Sequence, residues 1–359
     1  MDIMNYLQGM AVQHGPSGHE AEVAAWLGAR FEALCDSVTI DPLYNVIAFK
    51  KATLPTRDGS PAPRVMLAAH QDEIALMVSD ILPDGSLRMG QVGGVDPRIL
   101  PASTVIVHAT GGKDSTVKLL GVVGSTPPHL LSAADREHNY KREDLFIDLG
   151  LPVARVREQV RVGDLVTLSG PATPLLNDRC AAKTMDDRAC VACLLEAAER
   201  LQKMRHICDI YFVATSQEEV GSKGAAVAAH TIDPDLAVAL DVTHATIPQS
   251  RPDTTVPLDA PAATYGPFVQ HRLLERLKKA AEDHGIKLNT EHAERFTYTD
   301  LDNIQIAREG VPCVLIDLPL KYMHTTVELL DTNVIRECGR LLAHFLGDLD
   351  EGWNEALWS

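Results

Sequence analysis

Apolar residues recur along this chain in two rhythms. Near the start, Met1, Met4, Leu7 and Met10 fall at helical spacing. Ser17 and Glu20 read as a capping box, S-x-x-E, opening a second helix that carries Val23, Trp26, Leu27, Phe31 and Leu34. A β segment is expected around residues 38–49. After a turn rich in Pro and Gly at 54–63, the unbroken apolar run 65–69 predicts a buried strand. From about residue 74 to 168 the rhythm shortens to alternating segments at 87–89, 104–109, 117–123 and 165–169, punctuated by Gly and Pro, which predicts a small β-rich module. Longer periods then return: a helix over 188–204, strands over 210–215 and 236–240, and a helix over 268–284 with Leu273, Leu274, Leu277, Ala280 and Ala281 on its apolar side. A strand over 314–318 and a helix over 333–346 complete the pattern. Alternating helix and strand on both sides of the module predict an α/β domain, residues 1–73 and 169–359, interrupted by a small β-rich insertion at 74–168.

Length agrees with that division, since 359 residues correspond to about two domains. Composition narrows the partners. With 49 acidic against 33 basic side chains the formal net charge is -16, a field that repels phosphate backbones and anionic membranes, so neither nucleic acid nor membrane is expected as a partner. No apolar run approaches the roughly 20 residues of a membrane helix. The first residues lack the basic and long apolar regions of a signal peptide. Seven cysteines, scattered and odd in number, point to a reducing compartment, and a cytoplasmic location is expected. Cys190 and Cys193 form a C-x-x-C inside an apolar stretch with no second pair nearby, and read as small buried residues. His14, His19, His108, His129 and His244 are expected in loops or at the surface, with His244 also open to a supporting role beside the metal ligands.

The candidate chemistry gathers where apolar strands end. Residues 65–69 run into His70, with Asp72 and Glu73 beyond; 211–214 run towards Glu218-Glu219; 236–240 end directly on Asp241; and 313–318 lead to His324. In an open parallel α/β sheet, ligands bind outside the carboxyl ends of the strands, so these distant side chains converge. Asp186-Asp187, at the start of a helix, can join them. Two imidazoles with several carboxylates suit zinc, cobalt or manganese rather than calcium or a thiolate site. A pair of such ions needs a bridging carboxylate and terminal ligands, and a further carboxylate must stay free to take a proton from water.

The segments carrying these residues resemble a known family. Ala69-His70-Gln71-Asp72-Glu73-Ile74, Lys183-Thr184-Met185-Asp186-Asp187-Arg188, Ser216-Gln217-Glu218-Glu219-Val220-Gly221, Asp241-Val242-Thr243 and Tyr322-Met323-His324-Thr325 are similar to motifs of the glutamyl-aminopeptidase family, which includes the tetrahedral aminopeptidases. Gly93-Gly94-Val95, Gly121-Val122-Val123-Gly124 and Pro128-His129-Leu130 match segments of that family's inserted domain. The resemblance implies a Zn-peptidase-like mixed sheet flanked by helices, an inserted small β-rich, barrel-like domain used in dimerisation, and homo-oligomers built from dimers, up to dodecamers. It implies a metalloaminopeptidase that removes the N-terminal residue of peptides through a water bridging two divalent ions, zinc foremost, with cobalt or manganese as alternatives. By the same resemblance Asp186 bridges the ions, His70 and Asp241 hold one, Glu219 and His324 hold the other, Glu218 is the general base, and Asp72 orients His70. The peptide bond after Asp186 is expected to be cis. Two positions depart from the family pattern: Lys321, where Arg is frequent, and Tyr298, where a small Gly is frequent. The alternatives are a related two-metal carboxypeptidase or N-deacylase, or an oligomeric scaffold with an inactive site.

Overall fold

The computed structural model describes residues 1–57, 59–112, 116–132, 137–251, 253–353 and 357. Helices α1 (Ile3–Ala11) and α2 (Ala21–Phe31) precede a hairpin of β1 (Ser37–Ile40) and β2 (Val46–Lys50), and then β3 (Arg64–His70). Helix α1 buries Ile3, Leu7 and Met10 on one face, and Asp2 caps it by accepting from the Asn5 amide at 3.1 Å. The β segment expected over 38–49 is two strands, because Asp41 accepts from the amides of Leu43 and Asn45 and turns the chain. The capping box at Ser17 and Glu20 is not made. Helix α2 starts without a side-chain cap, since Ser17 donates to Asp72 at 2.6 Å and Glu20 accepts from the amides of Gly18 and Gln217. Tertiary partners have taken both side chains.

The chain then leaves the sheet. Strands β4 (Ala75–Ile81), β5 (Leu87–Val92), β6 (Thr104–Ala109), β7 (Val117–Ser125), β8 (Leu145–Asp148) and β9 (Leu165–Leu168) close into a barrel in the order β4-β5-β8-β7-β6-β9, with helix α3 (Val153–Gln159) before the last strand. Alternation fills the interior: Val105, Val107 and Ala109 of β6 point inward against Leu76, Val78, Leu87, Ile147 and Val166. His14 and His108 are half-buried rather than free at the surface. Their rings pack at 5.0 Å, and both bond the barrel hydroxyl of Thr167, which fastens the barrel to the N-terminal loop.

On its return the chain forms β10 (Thr173–Leu175), β11 (Arg179–Ala182), α4 (Met185–Leu201), β12 (Asp209–Thr215), α5 (Lys223–Ile232) and β13 (Leu236–His244). It continues through β14 (Ala262–Tyr265), α6 (His271–Asp283), β15 (Asn289–His292), α7 (Leu301–Ile304), β16 (Cys313–Leu320), β17 (Glu328–Asp331) and α8 (Thr332–Gly347). Eight strands make the central sheet, ordered β1-β2-β12-β3-β13-β16-β14-β15. Its middle four, β12, β3, β13 and β16, are parallel, so their carboxyl ends share one edge. Both faces are covered. Val65, Leu67 and Ala69 pack towards α1, α2, α4, α6 and α8, while Met66 and Ala68 pack towards α5 and α7. Strand β13 runs past Asp241 to His244, further than the apolar run suggested, because β16 pairs with it as far as Leu320. Helix α4 begins at Met185, three residues before the expected start. Asp186 and Asp187 there have non-helical backbone, and the bond between them is cis, as the resemblance implied. The seven cysteines are free, and Cys190 and Cys193 are buried. Among the described residues no helix is long and apolar enough to cross a membrane.

Candidate active site

At the shared edge the sheet releases polar side chains into one crevice. His70 ends β3 beside Thr215, which ends β12 in register with it. Its ring is 2% exposed, with Nε2 at 3.0 Å from Asp186 Oδ1 and Nδ1 at 3.4 Å from Asp72 Oδ1. Asp72 is fully buried and does more than face the imidazole. It accepts from Ser17 at 2.6 Å and from the amides of Glu218 and Glu219 at 3.0 and 3.2 Å, so one carboxylate ties His70 to the loop after β12.

His324 arrives from the loop after β16. Its Nε2 is 3.0 Å from Asp186 Oδ2 and 3.3 Å from Glu219 Oε1, and its Nδ1 is 2.9 Å from the carbonyl of Gly94. Gly94 belongs to the barrel, following β5. A Cβ there would stand 3.0 Å from the His324 ring and would push it by a few tenths of an ångström, so glycine suits the close approach. The two imidazoles thus face different oxygens of one carboxylate. His70, Asp186 and Glu219 can present ligand atoms within 4.8 Å of one another, as can His70, Asp187 and Asp241.

The residues predicted from sequence come together. His70, Asp186, Glu218, Glu219, Asp241 and His324 line a single cavity of about 640 Å³, and Asp72 lies behind His70. Asp187 and Glu328 contribute more than the sequence suggested. Asp187 accepts from the His70 amide at 3.2 Å and leaves Oδ1 buried without a partner. Glu328, from the short strand β17, accepts from the amides of Met185, Asp186 and His324, and so holds two ligand-bearing segments together. The adjacent Asp186-Asp187 pair hinted at the first. Nothing local marked the second.

The electrostatics follow from burial. Burial, joined by the charges of Asp300, Asp72 and Glu219, pushes Glu218 up to about 9 although His70 opposes it. Burial also drives Asp187 and Asp241 well above the usual carboxylate range. His324 is desolvated, which would lower it, but the hydrogen bonds to Asp186 and Glu219 prevail and raise it to about 11. Among the described residues no lysine or arginine lines the cavity. Concentrated buried acid, two imidazoles aimed at one carboxylate, and an orphaned oxygen on Asp187 make a donor set that fits divalent cations.

Farther in, the same cavity is lined by Thr243, Thr264, Glu291 and Asp317, and by the apolar Val242, Ala293, Leu315 and Met323. Of the two positions that departed from the motif pattern, Tyr298 stands 84% exposed at the cavity and Lys321 pairs its backbone with Leu329.

Comparison with known proteins agrees with this arrangement. The sequence model described as M42 glutamyl aminopeptidase matches residues 52–341. The lysyl aminopeptidase of Pyrococcus furiosus is 36% identical over 320 residues, 88% of each chain. A TET aminopeptidase from a Thaumarchaeota archaeon of marine sediment superposes with a TM-score of 0.90 at 30% identity, covering 99% of this chain and 98% of the other. The TET1 peptidase of Pyrococcus horikoshii, which can assemble into a tetrahedron or a large octahedral shell, gives 0.81 at 26% identity over 97% of this chain and 100% of its own.

Proposed function

The chain belongs to the M42 glutamyl aminopeptidase family and is an aminopeptidase, a hydrolase of peptide bonds; we propose that it removes single N-terminal residues with the help of two divalent ions. The observation that carries this reading is the placement of His70 Nε2 and His324 Nε2, each 3.0 Å from a different oxygen of Asp186. In this reading His70, Asp186 and Asp241 would hold one ion, and Asp186, Glu219 and His324 would hold the other. Zinc suits these nitrogen and oxygen donors first, with cobalt and manganese also compatible. When bound, the ions would supply Lewis acidity at the scissile carbonyl and favour ionisation of water.

The chain's own groups do the rest. Glu218 reaches into the cavity with Oε2 3.9 Å from His70 Nε2, while its Oε1 accepts from Ser222 at 3.3 Å, a setting that leaves Oε2 available to exchange protons. It takes a proton from the attacking water and returns it to the departing amine. Asp72 fixes the orientation of His70 and the Glu218–Glu219 loop, so ligand and base are positioned by one group. The carboxylates of the crevice attract the free α-amine of a peptide and restrict cleavage to the first bond. Residues 74–168 serve, in this reading, as the dimerisation module of a homo-oligomer; Leu120 and Val122 of β7 are exposed on the barrel's outer face.

Glu218→Gln tests the assignment. The variant should keep its metal content, measured by elemental analysis, while hydrolysis of aminoacyl anilides falls by about two to four orders of magnitude. Unchanged activity would remove Glu218 from the role of base. Cleavage of N-acyl amino acids with no action on aminoacyl anilides would favour a deacylase instead.

A further inference from the structure

We propose that Glu291 and Asp317 form a cation-binding floor in the catalytic cavity and select peptides whose first side chain is basic, lysine or arginine. The inference rests on the aminopeptidase reading above and names its substrate class.

Asp317 lies on β16 in register with Asp241 on β13, so the two side chains share a face about 4.8 Å apart, one strand spacing. It is 3% exposed and accepts from the hydroxyl of Thr264 on β14. Glu291, on β15, is in register with Thr264. Its Oε1 accepts from Thr243 at 2.7 Å, while Oε2 is buried without a partner. Two hydroxyls therefore hold two carboxylates on one wall, beside the residues that face the scissile bond.

Among the described residues no side-chain cation makes an ion pair with this wall. Among the described residues no lysine or arginine lines the cavity, and the nearby imidazoles of His244 and His292 make no hydrogen bond to Glu291. Burial pushes both carboxylates up from their usual range, and a ligand of opposite charge would favour their ionised forms. No third histidine, cysteine or carboxylate joins Glu291 and Asp317 in a metal-holding cluster among the described residues, so the chemistry favours an organic cation. Val242, Ala293, Leu315 and Met323 line the approach and suit the methylene stem that precedes an ammonium or guanidinium. An acidic side chain would meet two like charges there. A neutral aliphatic one would fill the stem but leave both carboxylates unpaired.

The test uses the metal-loaded enzyme and the p-nitroanilides of lysine, arginine, norleucine, leucine and glutamate. Norleucine carries lysine's four-carbon stem without its charge, so the comparison needs no variant. Lysine and arginine should exceed norleucine in kcat/KM by roughly tenfold or more, with glutamate the poorest. In Glu291→Gln the lysine-to-norleucine ratio should fall by roughly tenfold, chiefly through KM. Equal or better turnover of norleucine or glutamate by the unmodified enzyme overturns the pocket assignment while leaving the aminopeptidase reading intact. Cleavage of none of the five overturns that reading and this one with it.

Discussion

Two buried charged clusters lie a few residues apart in this chain and behave in opposite ways. In one, Glu73 sits against Lys183 and Arg188, with Arg188 Nη2 at 3.2 Å and the Gly15 amide at 3.0 Å. In the other, Glu218 lies within the influence of the carboxylates of Asp72, Glu219 and Asp300. Both groups are desolvated. Although burial works to raise it, Glu73 is held down at about 2 by its two cations, whereas Glu218 is pushed up to about 9. Where a buried charge serves the fold, the sequence supplies its counter-ion. Arg188 even stitches α4 to the N-terminal loops by donating to the carbonyls of Gln71 at 2.7 Å and Gln13 at 2.9 Å. Where the chain withholds a cation, it leaves room for one from outside.

The contrast can be broken most forcefully by removing the external cations. Prolonged chelation should reduce hydrolysis to the uncatalysed background, and adding back zinc, cobalt or manganese should restore it. Full activity in a sample shown to be metal-free would end the two-ion reading.

The paired cluster should show itself in acid. Folded Glu73 titrates near 2 against an ordinary 4.5, so its stabilisation is complete above about pH 4.5 and is lost as the pH falls towards 2. The 2.5-unit depression corresponds to roughly 3 kcal/mol. Urea unfolding of the wild type and of Glu73→Gln over that range should therefore converge by about this amount. A gap that stayed constant would mean that Glu73 does not titrate as its partners dictate.

The smallest effect sharpens the comparison from the barrel side. Gly94→Ala places a methyl 3.0 Å from the His324 ring and should weaken metal affinity by roughly tenfold, read by competition with a chromogenic chelator. Wild-type affinity would show that the loop yields without moving the imidazole.

Much of this architecture was legible because strand-end chemistry is local. The apolar runs before His70 and Asp241 end directly on these groups, the run at 211–214 leads towards Glu218-Glu219, and a parallel sheet collects such groups at one edge. The barrel was readable as short alternating segments, the binary pattern of strands with one wet face. What escaped depends on partners far away in sequence. Ser17 and Glu20 have the spacing of a cap, yet Asp72 and the Gln217 amide claim them. Glu328 looks like a surface acid on a four-residue strand, and its function comes from amides about 140 residues earlier. Glu291 and Asp317 lie inside strand periods, where a lone carboxylate carries no local mark. Only the pairing of β14 with β15 and β16 brings them to one wall.

The bond from His324 Nδ1 to the Gly94 carbonyl spans 230 positions of sequence and joins the peripheral module to the reacting centre. Thermodynamic linkage makes that tie reciprocal. Whatever restrains the loop bearing Gly94 also restrains the imidazole, and whatever the imidazole holds would stiffen the loop in return.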